Sequence, residues 1–141
     1  MNASDETAAV AAARERAIEQ IVDLALAAGP VATVTDRYFT NTARIVAAAG
    51  DSRVTYAVFM KRRVIAALQP ARRLLARLVP DAEVRLFHAE GEEGPAEHKL
   101  MEVTGSMARL SEVETLLLQL VGLPCVCAAN AHDMCLAVPR A

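Results

Sequence analysis

The sequence predicts an α+β domain, a small antiparallel sheet with helices packed around it. Three observations carry this. Residues 54–60 (VTYAVFM), 84–88 (VRLFH) and 100–104 (LMEVT) are short runs of β-branched, aromatic or alternating residues, as half-buried strands require. Hydrophobic residues make up 54% of the chain but aromatics only 4%, and alanine supplies much of the difference, which favours closely packed helices. The strands do not alternate regularly with helices as in a doubly wound sheet.

Ser4 or Asp5 can cap a first helix that continues to about Ala28. Ile18, Ile21, Val22 and Ala25 fall at i, i+3, i+4 and i+7, one buried stripe. Gly29 suits the position after a helix, and Pro30 prevents continuation. Residues 1–29 therefore read as an N-terminal helical extension and residues 30–141 as the domain proper.

Residues 31–34 form a short apolar approach. Thr35 or Asp36 then caps a helix over residues 37–49, stopped by Gly50. Tyr38 and Phe39 lie in its first turn. Tyr38 has two readings, a core aromatic or an outward ring that stacks on a planar ligand. After the strand at 54–60 come Lys61, Arg62 and Arg63.

Pro70 suits the first turn of the next helix, where its missing N–H costs nothing. Leu74, Leu75 and Leu78 form its apolar face, Arg72, Arg73 and Arg77 lie largely off it, and Pro80 stops it. The arginines read as a solvated face or as forks for phosphate. Glu90, Glu92 and Glu93 form an exposed acidic turn in which Gly91 and Gly94 permit positive φ. Gly105 breaks the strand at 100–104. Ser111 with Glu114 three residues on is a capping-box helix start, with Leu116, Leu117, Leu120 and Val121 on one face. A break near residues 122–124 precedes a last helix over about residues 126–138, ended by Pro139.

Net charge is −2, so no global field points to nucleic acid or an anionic membrane. MNASDET is acidic and polar where a signal peptide needs basic residues. The most apolar stretch, residues 116–131, is short for a membrane span and carries Gln119 and Pro124. The expectation is a soluble, cytoplasmic protein. Cys125, Cys127 and Cys135 are odd in number and lack the paired C-x2-C knuckles of structural zinc, so no metal site is expected. There is no GxGxxG, P-loop, GxSxG or HExxH.

Four stretches in order carry a family resemblance. TDRYFTNTARIVAAAG resembles the Thr-Asp-x-Tyr entry of nicotinate phosphoribosyltransferases. VTYAVFMKRR is similar to that family's strand ending in Phe and basic residues. VRLFHAEGEEGPAEHKLMEVTG resembles its Glu-Gly turn and following strand, and SEVETLLLQLVGLPCVCAANAHDMCLAVP its Glu-Thr helix and Ala-rich helix.

The resemblance implies an N-terminal α/β sandwich, built partly like a split barrel, of the nicotinate/quinolinate phosphoribosyltransferase type. A catalytic (β/α) barrel would follow it. The complete enzyme would join nicotinate to phosphoribosyl pyrophosphate, giving nicotinate mononucleotide for NAD salvage, with Mg²⁺ and ATP. It would work as a dimer in which each N-terminal domain completes its partner's site. Residue by residue, Tyr38 matches a ring-stacking tyrosine, which would stack nicotinate or nicotinamide alike. Asp36 matches the residue holding that turn, Arg62 or Arg63 the basic residue after the Phe strand, and Glu114 and Thr115 the Glu-Thr pair.

A barrel takes roughly 200–250 residues, and this sequence stops two residues after Pro139. The expectation is thus a fragment or split subunit, inactive alone, with no cofactor of its own and a homodimer partner or separate barrel subunit. The alternative is a non-catalytic dimerisation or docking module on the same fold.

Overall fold

A computed structural model describes the backbone of residues 3–138 and the side chains of residues 7–138. The elements run α1 (Ala3–Ala27), α2 (Val31–Val34), α3 (Arg37–Ala49), β1 (Arg53–Phe59), β2 (Val64–Ile65), α4 (Gln69–Leu78), β3 (Glu83–Leu86), β4 (Glu93–Gly94), β5 (Lys99–Ser106) and α5 (Met107–Ala137). The α+β class holds. β5 is the central strand of an antiparallel sheet in the order β1-β5-β3, and β2 and β4 form a separate antiparallel ribbon.

The sheet has one wet and one dry face, as alternation requires. Met101, Val103 and Gly105 of β5 are buried, as is Val58 of β1. On the wet face Thr55 and Thr104 sit opposite each other and share a 2.8 Å hydrogen bond, and Arg53 pairs with Glu83 at 2.6 Å. α5 packs on α3, α4 and the strands, and Leu110, Leu116, Leu117, Leu120, Val121 and Cys125 carry its buried face. By length and composition α5 is apolar enough to cross a membrane, as the core helix of a folded domain also can be.

Several boundaries differ from the sequence reading. α1 already includes Ser4 and Asp5, so neither caps it. Residues 31–34 form one helical turn. The strand beginning at Val84 in the sequence reading starts at Glu83 and ends at Leu86. Gly105 does not break its strand: β5 continues to Ser106, with Val54 opposite Gly105.

Ser111 is not a cap. Ser106 caps α5, accepting from Arg109 N–H at 3.1 Å, and Ser111 lies buried inside the helix. Nor is there a break at residues 122–124, because α5 runs through Pro124. The apolar face continues on both sides, from Val121 to Cys125 and Ala129, and that burial outweighs the hydrogen bond proline removes. Pro139 lies outside the described residues.

The acidic turn has structural work. α4 lacks a side-chain cap from its own preceding residue, Leu68. Glu90 Oε1 instead accepts from Leu68 N–H at 2.6 Å and Gln69 N–H at 2.9 Å, placing a negative charge at the helix start. Gly91 has φ +84°, as expected, but Gly94 does not use positive φ. A Cβ at Gly94 would lie 2.7 Å from Leu100 Cδ2, so close packing is what needs glycine there.

Candidate functional site

The start of α3 is tied to α5 by a short polar seam. Asp36 caps α3, its Oδ1 accepting from Tyr38 N–H at 2.7 Å. Asp36 N–H donates to Thr115 Oγ1 at 2.9 Å. Thr35 Oγ1 lies 2.6 Å from Glu112 O and 2.7 Å from Val31 O, and its single proton serves one carbonyl at a time. Thr115, matched to the Glu-Thr pair in the sequence, is thus an anchor for the turn that presents Tyr38.

Tyr38 is 70% exposed, which removes the core reading. Its ring meets Phe39 edge-on, centroids 5.3 Å apart. It stands at an open cleft of about 470 Å³ between α3, β1 and α5. Tyr56, Ser111, Glu114, Leu117 and Leu118 line the interior. Tyr56 Oη lies 3.2 Å from Ser111 Oγ. Burial pushes the Tyr56 phenol up from its ordinary pKa, and burial likewise raises Glu114.

The four candidate residues do not converge. Only Tyr38 lines the cleft, and Asp36 acts on it through the cap. Arg62 is exposed in the bend after β1. Arg63 reaches away: its Nη2 bonds both Asp133 oxygens, at 2.8 and 2.7 Å, and its Nη1 bonds Glu93 at 3.2 Å. The hydrogen bonds that Arg63 donates to Asp133 hold Arg63 above its ordinary pKa and Asp133 below its own. Arg73 and Arg77 are also engaged, by Glu15, Glu19 and Asp23 of α1.

Sequence reasoning missed Tyr56 and Ser111. Tyr56 read only as a strand residue, and Ser111 as a cap. Their meeting depends on the register of β1 beside β5 and on where α5 starts, which no local pattern encodes.

Cys125 is buried, its Sγ accepting from Ala67 N–H at 3.4 Å, and burial raises its pKa. It acts as a small apolar core residue. Among the described residues no group of three His, Cys, Asp or Glu could hold a metal ion. The cleft therefore offers rings, hydroxyls and one carboxylate, and among the described residues no lysine, arginine or histidine lines it. It can cover a planar ring but, among the described residues, offers no positive charge with which to grip pyrophosphate.

Replacing Asp36 by alanine removes the cap and is expected to cost about 1 kcal/mol. Thermal melting reads this, and faster amide exchange at Tyr38 should accompany it.

The family model described as quinolinate phosphoribosyl transferase, N-terminal domain, matches residues 36–125. Among solved structures, the nicotinate-nucleotide pyrophosphorylase of Francisella tularensis superposes with a TM-score of 0.59 at 17% identity, covering 74% of this chain and 36% of that one. NadC of Streptococcus pyogenes gives 0.53 at 19% identity, covering 72% and 34%. At such identities these two superpositions speak to fold. The chain spans about a third of the length of either structure. Among curated proteins none matches.

Proposed function

The chain belongs to the quinolinate phosphoribosyltransferase N-terminal domain family, and from that premise we propose that it serves an enzyme transferring phosphoribose to a pyridine carboxylic acid. The sequence reading named nicotinate, and the matching family is named for quinolinate. Both present the same ring to Tyr38 and differ in carrying one carboxylate or two. In the transfer, the ring nitrogen's lone pair forms the bond to ribose C1. The bond from C1 to the pyrophosphate oxygen breaks, and pyrophosphate leaves with that electron pair.

The observation that carries this reading is the Tyr38 ring, held outward by the Asp36 cap and the Thr115 anchor. A pre-positioned aromatic lowers the cost of ordering a planar substrate. The domain's part is to cover the pyridine. Gripping phosphoribosyl pyrophosphate falls to a catalytic body, a barrel in the same or another polypeptide. Any Mg²⁺ or ATP the complete enzyme uses is assigned to that body. We place the assembly in the cytoplasm, as a homodimer or a domain–barrel complex, making a pyridine mononucleotide for NAD.

The alternative, a non-catalytic docking module, draws on α5. Leu123, Met134 and Leu136 are each 68–70% exposed there, and apolar exposure of this kind marks contact surfaces.

Titrating phosphoribosyl pyrophosphate into the purified chain by calorimetry tests the division of labour. The expected result is no saturable heat. Tight, Mg²⁺-dependent binding would place the phosphate site in this domain and overturn the reading.

A further inference from the structure

The charge pattern of the cleft suits a cation. Glu114 sits half-buried in it, partly desolvated and with its pKa raised, and among the described residues no lysine, arginine or histidine lines the cleft beside it. A desolvated carboxylate without a counter-charge gains most from an incoming cation. Tyr38 and Tyr56 line the same space, and aromatic faces attract cations. The Tyr56 hydroxyl hydrogen-bonds Glu114, which offsets part of the rise in the Glu114 pKa, and the Ser111 hydroxyl, 3.2 Å from Tyr56 Oη, adds an acceptor at the wall.

This chain's own arginines with described partners are committed elsewhere. Arg53 holds Glu83, Arg63 holds Asp133, Arg73 and Arg77 hold α1, and Arg109 donates to Leu78 O at 2.7 Å. Since no described lysine, arginine or histidine of this chain lines the cleft, a cation carried on another surface can supply the missing charge. We propose that the cleft is a socket for an arginine side chain of the catalytic body, its guanidinium paired with Glu114 and stacked against the Tyr38 and Tyr56 rings. Arginine fits better than lysine because its planar fork stacks on rings while donating to a carboxylate.

The identity of this occupant rests on the proposed function above. The charge argument sharpens that reading. A pyridine carboxylate is repelled from the Glu114 end of the cleft, so the cations holding its carboxylates also come from the catalytic body. A ring that lines the cleft while 70% exposed still presents surface to a substrate outside it.

The test uses benzamidine as a guanidinium surrogate and benzoate as its anionic counterpart, each titrated into the full chain by NMR. Benzamidine is expected to shift the amides of Tyr38, Tyr56, Ser111 and Glu114 saturably, and benzoate to leave those of Tyr56, Ser111 and Glu114 unmoved. Glu114→Gln should weaken benzamidine binding roughly tenfold, while Glu112→Gln, outside the cleft lining, should not. The socket is overturned if benzoate binds as well as benzamidine, if neither binds, or if Glu114→Gln binds benzamidine like the parent. The comparison of the two ligands on the unaltered chain stands whether or not the variant folds. A negative result leaves the need for a catalytic body intact, because product formation reads that separately.

Discussion

Leu74→Ala should lower the stability of the domain by about 2–5 kcal/mol. Leu74 has no exposed surface and belongs to the main core cluster, on α4, which packs against α5 and α1. Truncation loses the transfer free energy of the removed carbons and leaves a cavity that helices fixed by other contacts close only partly. A single domain is stable by about 5–15 kcal/mol in total, so the variant would be marginal. Its melting temperature should fall by roughly 10–20 °C. Leu24→Ala is the matched control: Leu24 is 73% exposed on α1, and its loss should stay within about 0.5 kcal/mol. Equal melting shifts for the two variants would show that the core has been misplaced.

Tyr38→Ala should do the opposite, leaving stability nearly unchanged and cutting activity in an assembled enzyme. The ring is 70% exposed, so little buried area is lost. What is lost is the platform. Stacking of a planar base on an aromatic side chain is worth about 1–3 kcal/mol, roughly 5- to 150-fold in affinity. Because stacking holds the ground state and the transition state alike, the loss should fall mainly on KM for the pyridine, with kcat less affected. Tyr38→Phe should retain most of the activity, since the ring face and not the hydroxyl does the stacking. An equal loss in the phenylalanine variant would instead assign the role to the hydroxyl.

Local signals in the sequence located what local physics decides. Asp36 as the α3 cap, Pro70 in the first turn of α4 and Gly91 at positive φ were all legible, because each acts within a few residues. Tyr38 was legible as a candidate but not as exposed, since an aromatic in a first turn serves a core equally well. The errors came where tertiary burial overrode a local rule. Pro124 reads as a helix break, yet the stripe through Val121, Cys125 and Ala129 keeps α5 continuous. Ser111 with Glu114 satisfies the capping pattern, yet Ser106 lies at the end of β5, where the helix starts. Glu90 read as an exposed acid because its target, the start of α4, is about twenty residues away in sequence. Arg63 was a candidate through the family resemblance, and its pairing with Asp133, seventy residues on, is not legible from spacing.

On the proposed function, this domain completes an active site that a catalytic body supplies. The most direct test measures pyridine mononucleotide formation from phosphoribosyl pyrophosphate, Mg²⁺ and ATP, with quinolinate and nicotinate in turn. The chain, a phosphoribosyltransferase barrel stripped of its own N-terminal domain, and the two joined in one polypeptide after Val138 are compared. Product is expected from the joined protein, none from the chain, and little from the barrel. Mononucleotide from the chain by itself, or a barrel as fast without it as with it, would overturn the proposed function.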